Sequence, residues 1–172
     1  RPAPASNATG NVPAAVTEGR PVIDARGEGV RTAGPSGHTV ALTFDDGPDP
    51  AWTPRILDVL REHGVHATFF VTGSSAIKHP ELLRRMAAEG LEIGTQTLTN
   101  ADLSAAPSWR RQLEIRGAQK VVAGITGQSP SLLRPPHSTD NTAVTDGQWS
   151  AMDAAADEGF LAVLGTLDSG DE

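Results

Sequence analysis

Two adjacent carboxylates are the groups in this chain best placed to do chemistry. Asp45 and Asp46 directly follow residues 40–44, a short apolar run that is typical of a buried strand. At a strand end one carboxylate can bind a metal ion while its neighbour accepts a proton from water. Gly47 and Pro48 then turn the backbone away. The alternative interpretation is an acidic turn that caps a helix and has no catalytic role.

Further candidate residues follow three later runs that are also typical of strands. They are, in chain order, Gln96 and Asn100, then Arg134, Pro136 and His137, and finally Asp168 and Asp171. The carboxyl ends of parallel strands meet at one edge of a sheet, where α/β proteins carry out their chemistry. We therefore expect a single site at this edge.

The elements that must position these residues alternate between strand and helix. Strands are predicted at residues 40–44, 67–71, 91–93, 132–134 and 160–164. Helices are predicted from Thr53 up to Gly64, and over 80–89, 109–123 and 148–158. The Thr53 hydroxyl is predicted to cap the first helix, and Trp109, Leu113 and Val121 are predicted to lie roughly on one side of the third. This alternation predicts a parallel α/β fold.

The first part of the chain differs in composition from the rest. Residues 1–37 are rich in Pro, Gly, Ala and Thr and lack periodicity, which predicts a linker or an arm over the surface of a domain at 38–172. The chain begins at Arg1 and stops soon after a strand-like run, so we interpret it as a piece of a longer protein or a processed form.

Charge and composition exclude several classes of protein. The net charge of −7 argues against a nucleic-acid partner, and the absence of cysteine excludes a disulfide framework or a thiolate metal site. No apolar run is long enough to span a membrane, so no membrane contact is predicted for this segment. Residues 135–172 carry eight acidic residues and no Lys or Arg, which indicates either a solvated acidic face or, for Asp168 and Asp171, part of a site.

The motifs together resemble the polysaccharide deacetylases of carbohydrate esterase family four, the NodB-homology domain. Residues 43–48 (Thr-Phe-Asp-Asp-Gly-Pro) match that family's first motif, and residues 134–137 (Arg-Pro-Pro-His) match a later one except for the His. Residues 168–171 (Asp-Ser-Gly-Asp) match the start of its fourth motif. The chain is most similar to the extracytoplasmic deacetylase domain that some actinobacterial proteins carry ahead of a membrane glycosyltransferase.

The resemblance implies a fold, a reaction and a location. The fold is a distorted (β/α) barrel, here incomplete at its C-terminal side. The reaction is metal-dependent hydrolysis of N- or O-acetyl groups on an acetylated polysaccharide or a peptidoglycan-like glycan, at an extracytoplasmic or cell-surface location. Strands that would complete the barrel are missing, so a sheet edge is expected to be unpaired unless residues 1–37 or a partner cover it.

The resemblance also implies roles for individual residues. Asp45 would be the base that takes a proton from water, Arg134 would hold that base, and Asp46 would be a metal ligand. The backbone N–H near His137 would donate to the oxyanion. The same carry-over makes Pro136, Asp168 and Asp171 substrate or oxyanion residues.

The second motif departs from the family. Two metal-binding histidines four residues apart are matched here by Gln96 and Asn100. Neutral amide oxygens are poor ligands for the zinc, cobalt or nickel that the resemblance implies, and with one carboxylate they are few for magnesium or calcium. The fourth motif has Glu172 in place of a Trp, and the family's last motif, which supplies a histidine acid, is not reached.

These departures predict a deacetylase-like domain with impaired activity and weak or absent metal binding. Two alternatives stay open: an active deacetylase with an altered or weak metal site, and a non-catalytic module that binds glycan or is structural. A phospho-acceptor domain is disfavoured because it needs a lysine after the fifth strand, and the last lysine is Lys120.

Overall fold

The computed structural model describes residues 12–137, 141–167, 169 and 170. The described strands are β1 (Val22–Gly27), β2 (Gly29–Ala33), β3 (Thr43–Phe44), β4 (Thr68–Val71), β5 (Glu92–Thr95), β6 (Leu132–Leu133) and β7 (Leu161–Val163). The described α-helices are α1 (Ala14–Thr17), α2 (Thr53–His63), α3 (Gly73–Lys78), α4 (Pro80–Ala88), α5 (Ser108–Thr126) and α6 (Asp146–Asp157), and Asn141–Ala143 forms a 3-10 turn.

The seven described strands form one open sheet in the order β2-β1-β7-β6-β5-β4-β3. Neighbours from β3 to β7 are parallel, which confirms the α/β prediction for this part of the chain. The strand predicted at 40–44 is shorter than expected because only Thr43 and Phe44 pair with β4. Val40 and Leu42 are 88% and 42% exposed at this edge of the sheet, so the prediction that they are buried is wrong.

The segment predicted to be an irregular arm contains α1, β1 and β2 in its described part. Ile23 and Ala25 are buried and alternate with half-buried neighbours, the two-residue period of a strand with one face on the core. Val22 and Ile23 pair antiparallel with Val163 and Ala162, so β1 covers the edge that β7 would otherwise leave unpaired. The division of the chain at residue 37 stays a prediction.

The start of α2 differs in detail from the prediction. The Thr53 hydroxyl accepts a hydrogen bond from the Asp49 N–H at 2.9 Å instead of capping the helix. Asp49 Oδ1 accepts from the N–H groups of Ala51 and Trp52, both at 2.8 Å, in the turn that leads into the helix. The carboxylate that ends the Asp-Asp-Gly-Pro-Asp motif therefore holds this turn, while Trp52, directly before α2, makes no side-chain cap.

The buried face of α5 is not the side that its large apolar residues mark. Trp109 and Leu113 are 63% and 54% exposed, so this side of the helix is not its buried face. The buried residues of this helix are Glu114, Ile115, Ala118 and Val122. The helix packs closely against Leu98 at Gly117, where an added Cβ atom would lie 3.0 Å from a methyl carbon of Leu98. Because the buried face carries a carboxylate and small residues, the pattern of large apolar residues in the sequence does not reveal which side of α5 is buried.

Asp24 joins the two strands of the N-terminal hairpin through ion pairs. Its Oδ1 accepts from Arg26 Nε and its Oδ2 accepts from Arg31 Nη2, both at 3.0 Å. The hydrogen bond from the Arg26 side chain is the main reason why the pKa of Asp24 is lowered to about 2. Because the pKa is lower in the folded state, the ionised carboxylate contributes stability above its unfolded pKa, and this is lost as pH falls through the folded pKa.

We predict that Asp24→Asn lowers the free energy of unfolding at neutral pH by about 1 kcal/mol, the scale of a partly exposed ion pair. The variant should also lose less stability than the wild type as the pH falls from about 4 to about 2. Urea unfolding at several pH values measures both effects. Glu28→Gln, in the turn of the same hairpin, is the control. Parallel stability curves for wild type and Asp24→Asn through the acid range would contradict the prediction.

Candidate active site

Arg134 connects the carboxyl ends of three strands at one point. Its Nη1 donates to Asp45 Oδ1 and to Thr43 Oγ1, each at 2.8 Å, and its Nε donates to the carbonyl oxygen of Val163 at 3.2 Å. The guanidinium carbon also lies 4.3 Å from the centroid of the Phe70 ring, which is the geometry of a cation–π contact. The predicted meeting of Arg134 with Asp45 is therefore present in the structure.

These contacts show how the sheet is curved. In a flat sheet β3 and β6 would be three strand spacings apart, about 14 Å. The Arg134 side chain, which follows β6, nevertheless reaches Thr43 in β3 directly. The sheet therefore curls around this arginine, as in a barrel, and brings the strand ends together over it.

Burial divides the ion pair into a buried and an accessible half. The Arg134 side chain is 9% exposed, whereas that of Asp45 is 37% exposed. Burial of a guanidinium is tolerable because carboxylate, hydroxyl and carbonyl oxygens and an aromatic face surround it. The Asp45 carboxylate is therefore held by a permanent positive charge on its buried side and is accessible to solvent. A carboxylate in this position can accept a proton from a bound water.

Asp46 lies against the turn that follows β5. Gln96 Oε1 accepts from the backbone N–H of Asp46 at 2.9 Å, and Asn100 Nδ2 donates to Asp46 Oδ1 at 3.0 Å. Asp46, Thr97 and Asn100 have φ values of 64°, 71° and 59°, in the left-handed region that L-residues rarely adopt. Strain of about 1 kcal/mol or more per residue is typical at functional sites, where the surrounding contacts maintain it. The structure thus brings together the three predicted ligand positions.

The chemistry of these three residues does not fit zinc, cobalt or nickel. Asp46 Oδ1 and Gln96 Oε1 already accept hydrogen bonds, and Asn100 Oδ1 is buried with no hydrogen-bond partner among the described residues. The side chains offer one carboxylate and two neutral amides, without imidazole or thiolate. Across residues 12–137 and the described residues beyond 140, no three His, Cys, Asp or Glu side chains are grouped to hold a metal ion.

Pro136 and His137 follow Arg134 at the same edge of the sheet. Pro136 is buried, while His137 is exposed with a φ of 58°. His137 also faces Asp102: hydrogen bonds from the N–H and hydroxyl of Ser104 lower the pKa of Asp102, and the charge of His137 lowers it further. Asp168 and Asp171, the remaining predicted site residues, lie outside the described residues.

Sequence reasoning misses two side chains that support this arrangement. Thr43 supplies an oxygen to Arg134, and Glu114, buried on α5, accepts hydrogen bonds from Thr99 in the turn next to Asn100. The available signal for Glu114 is its place in the helix, directly before buried Ile115 and four residues before buried Ala118. Acidic residues are almost never fully buried unless they are paired, so such a position indicates a buried partner.

Comparison with known proteins defines the class. The model of the polysaccharide deacetylase family matches residues 32–152. The chain is 37% identical over 144 residues to a chitooligosaccharide deacetylase of Sinorhizobium fredii, covering 83% of this chain and 63% of that protein. It is 39% identical over 117 residues to the peptidoglycan-N-acetylglucosamine deacetylase PgdA of Listeria monocytogenes, covering 64% of this chain and 25% of that protein.

The solved structures agree with the sequence matches. A family 4 carbohydrate esterase from Streptomyces lividans in complex with acetate superposes with a TM-score of 0.67 at 31% identity, over 77% of this chain and 65% of that chain. This chain belongs to the polysaccharide deacetylase family, and the predicted fold class is confirmed. It spans 63% and 25% of the lengths of the two curated relatives described above.

We predict that Arg134→Gln lowers the free energy of unfolding by about 2–3 kcal/mol, because it leaves the half-buried Thr43 hydroxyl and Val163 carbonyl oxygen without their charged donor. Arg116→Gln is the matched control. Arg116 pairs with Glu158 at 2.6 Å but its side chain is 55% exposed, so its loss should be below about 1 kcal/mol. Chemical unfolding of both variants measures the difference, and equal losses would contradict a central role for Arg134.

Proposed function

We propose that this chain is a deacetylase-like domain that binds an acetylated glycan and retains its proton-accepting carboxylate, but has impaired catalysis. The observation that carries the proposal is the hydrogen bond from Asn100 Nδ2 to Asp46 Oδ1. In the family resemblance Asp46 is a metal ligand. Here the Asn100 amide donates a hydrogen bond to the carboxylate oxygen that would otherwise be available to a metal ion.

The proposed base is Asp45. Its carboxylate takes the proton of the water that attacks the acetyl carbon, and Arg134 holds the carboxylate in the orientation that this transfer needs. The accessibility of Asp45 and the burial of Arg134 support these roles. The backbone N–H near His137 donates to the acetyl oxygen as negative charge develops there, and buried Pro136 fixes the preceding backbone. Substrate contacts by Asp168 and Asp171 remain part of the proposal.

The proposed loss of metal affinity concerns Gln96 and Asn100. By resemblance these positions carry histidines in the family, four residues apart as here. Structural zinc sites with four ligands bind with about 10–16 kcal/mol, so replacement of two ligands by amides costs several kcal/mol of affinity. The bond from Asp46 N–H to Gln96 Oε1 supports this assignment, because that oxygen already has a donor.

The substrate class follows from the relatives. Their names give chitooligosaccharides and the N-acetylglucosamine of peptidoglycan as substrates, so we infer an acetylated glycan of this kind for the present chain. An extracytoplasmic or cell-surface location belongs to the same proposal, as does a parent protein in which this domain precedes a membrane glycosyltransferase. Among the described helices, none has the length and apolarity to cross a bilayer.

The first test restores the histidines. We expect the double variant Gln96→His/Asn100→His to bind zinc at least about a hundredfold more tightly than the wild type, since two imidazoles replace two neutral amides. Calorimetric titration with zinc measures the affinity. The single variants should each show a smaller gain, and Asp46→Asn in the double variant should remove most of it.

Two outcomes of these measurements would contradict the proposal. No gain in the double variant would show that Gln96 and Asn100 are not the metal positions. About one equivalent of zinc on the wild type, with acetate release from an acetylated chito-oligosaccharide, would favour the second candidate, an active deacetylase with an altered metal site. The Asp45–Arg134 bond at 2.8 Å is the observation that supports this candidate.

The second test concerns glycan binding. Titration of the ¹⁵N-labelled protein with an N-acetylated chito-oligosaccharide should shift the amide signals of Asp45, Asp46 and His137 saturably. A glucose oligomer of equal length lacks the acetamido group and should bind about tenfold more weakly, the scale of one lost hydrogen bond. Absence of any shift at these residues would leave a structural module as the function.

A further inference from the structure

Glu114 is a buried carboxylate that faces the turn after β5. Its side chain is 2% exposed, on the inward face of α5. Burial of an ionised carboxylate costs several kcal/mol unless hydrogen bonds replace the lost water. The reason for placing a carboxylate at this position must therefore be sought in the groups that it contacts.

Both oxygens of Glu114 contact the same residue. Oε2 accepts from the backbone N–H of Thr99 at 2.8 Å, and Oε1 accepts from the Thr99 hydroxyl at 2.7 Å. Arg110 Nη2 lies 3.4 Å from Oε1 and is itself about half exposed, so it contributes little to holding the carboxylate. The two short bonds fix both the backbone and the side chain of Thr99.

Thr99 directly precedes the residue that contacts Asp46. Asn100 adopts a φ of 59° and donates from Nδ2 to Asp46 Oδ1 at 3.0 Å. A non-glycine residue keeps such a conformation only where its surroundings hold it. A displacement of Thr99 therefore passes directly to the Asn100 side chain.

The other side of this turn is held by α3. The N–H groups of Gly73 and Ser74 donate to the carbonyl oxygens of Thr97 and Leu98, at 3.0 and 2.8 Å. Those bonds fix the first half of the turn, next to β5. Glu114 fixes the second half, which carries Asn100.

We propose that Glu114 is a positioning residue of this site: it holds Thr99 so that the Asn100 side chain stays on the Asp46 carboxylate. The inference rests on the proposed function only in treating the surroundings of Asp46 as part of a glycan site. A carboxylate suits this task because its two oxygens accept from an N–H and a hydroxyl of one residue at the same time, which an apolar side chain of similar size cannot do.

The test follows the Asn100 side-chain amide by NMR in ¹⁵N-labelled protein, without metal or glycan. Glu114→Gln removes the negative charge and leaves one acceptor oxygen, so the Thr99 N–H and hydroxyl can no longer each donate to a separate oxygen of this side chain. We expect the Asn100 NH₂ signals to move and its protons to exchange with water about tenfold faster, as one bond to Asp46 weakens. Thr99→Val removes only the hydroxyl contact and should produce a smaller change in the same direction.

Glu158→Gln is the matched control. Glu158 accepts at 2.6 and 2.8 Å from Arg116, which lies on α5 like Glu114. It should leave the Asn100 signals in place, whatever its effect on melting temperature. Unmoved Asn100 signals in both Glu114→Gln and Thr99→Val, or equal movement in Glu158→Gln, would overturn the proposal. If Glu114→Gln does not fold, Thr99→Val decides the question.

The result separates this inference from the proposed function. Moved Asn100 signals together with no glycan binding would reject the glycan-binding function and leave the positioning role intact. Unmoved signals together with saturable glycan binding would reject the positioning role alone.

Discussion

The structure depends on one buried guanidinium. Arg134 follows β6, yet it bonds to groups at the ends of β3 and β7 and lies on the ring of Phe70 from β4. A positive charge in this position needs oxygen acceptors from several directions, and a sheet supplies them only when its strands curl around the charge. The guanidinium of Arg134 therefore obtains its hydrogen-bond acceptors from the same curvature that brings the strand ends together.

The second carboxylate is held in a different way from the first. Asp45 is bound by a permanent charge, whereas Asp46 is bound by neutral amides at its backbone N–H and at one oxygen. Hydrogen bonds of this kind hold a turn in a left-handed conformation without placing any charge opposite the carboxylate. The two adjacent carboxylates therefore differ in chemistry: Asp45 faces a permanent charge, and Asp46 is part of a hydrogen-bonded turn.

Features that depend on the order of the parallel strands can be predicted from the sequence. The buried faces of individual strands and helices are harder to predict. The meeting of Asp45, Asp46, Gln96, Asn100 and Arg134 follows from parallel strands whose ends share an edge. The strands β1 and β2 were missed because Gly, Ala and Thr obscure a two-residue period in which only Ile23 and Ala25 are buried. The buried face of α5 cannot be read from the sequence because it combines small residues with Glu114, whereas the large Trp109 and Leu113 are exposed.

The position of β1 has a consequence for how the chain folds during synthesis. This strand is made before its partner β7, and the parallel strands β3 to β6 lie between the two in sequence. Contacts of such long range form late and slow folding, because a large loop must close before they give any stability. The hairpin of β1 and β2 must therefore wait for this pairing until β7 has been made.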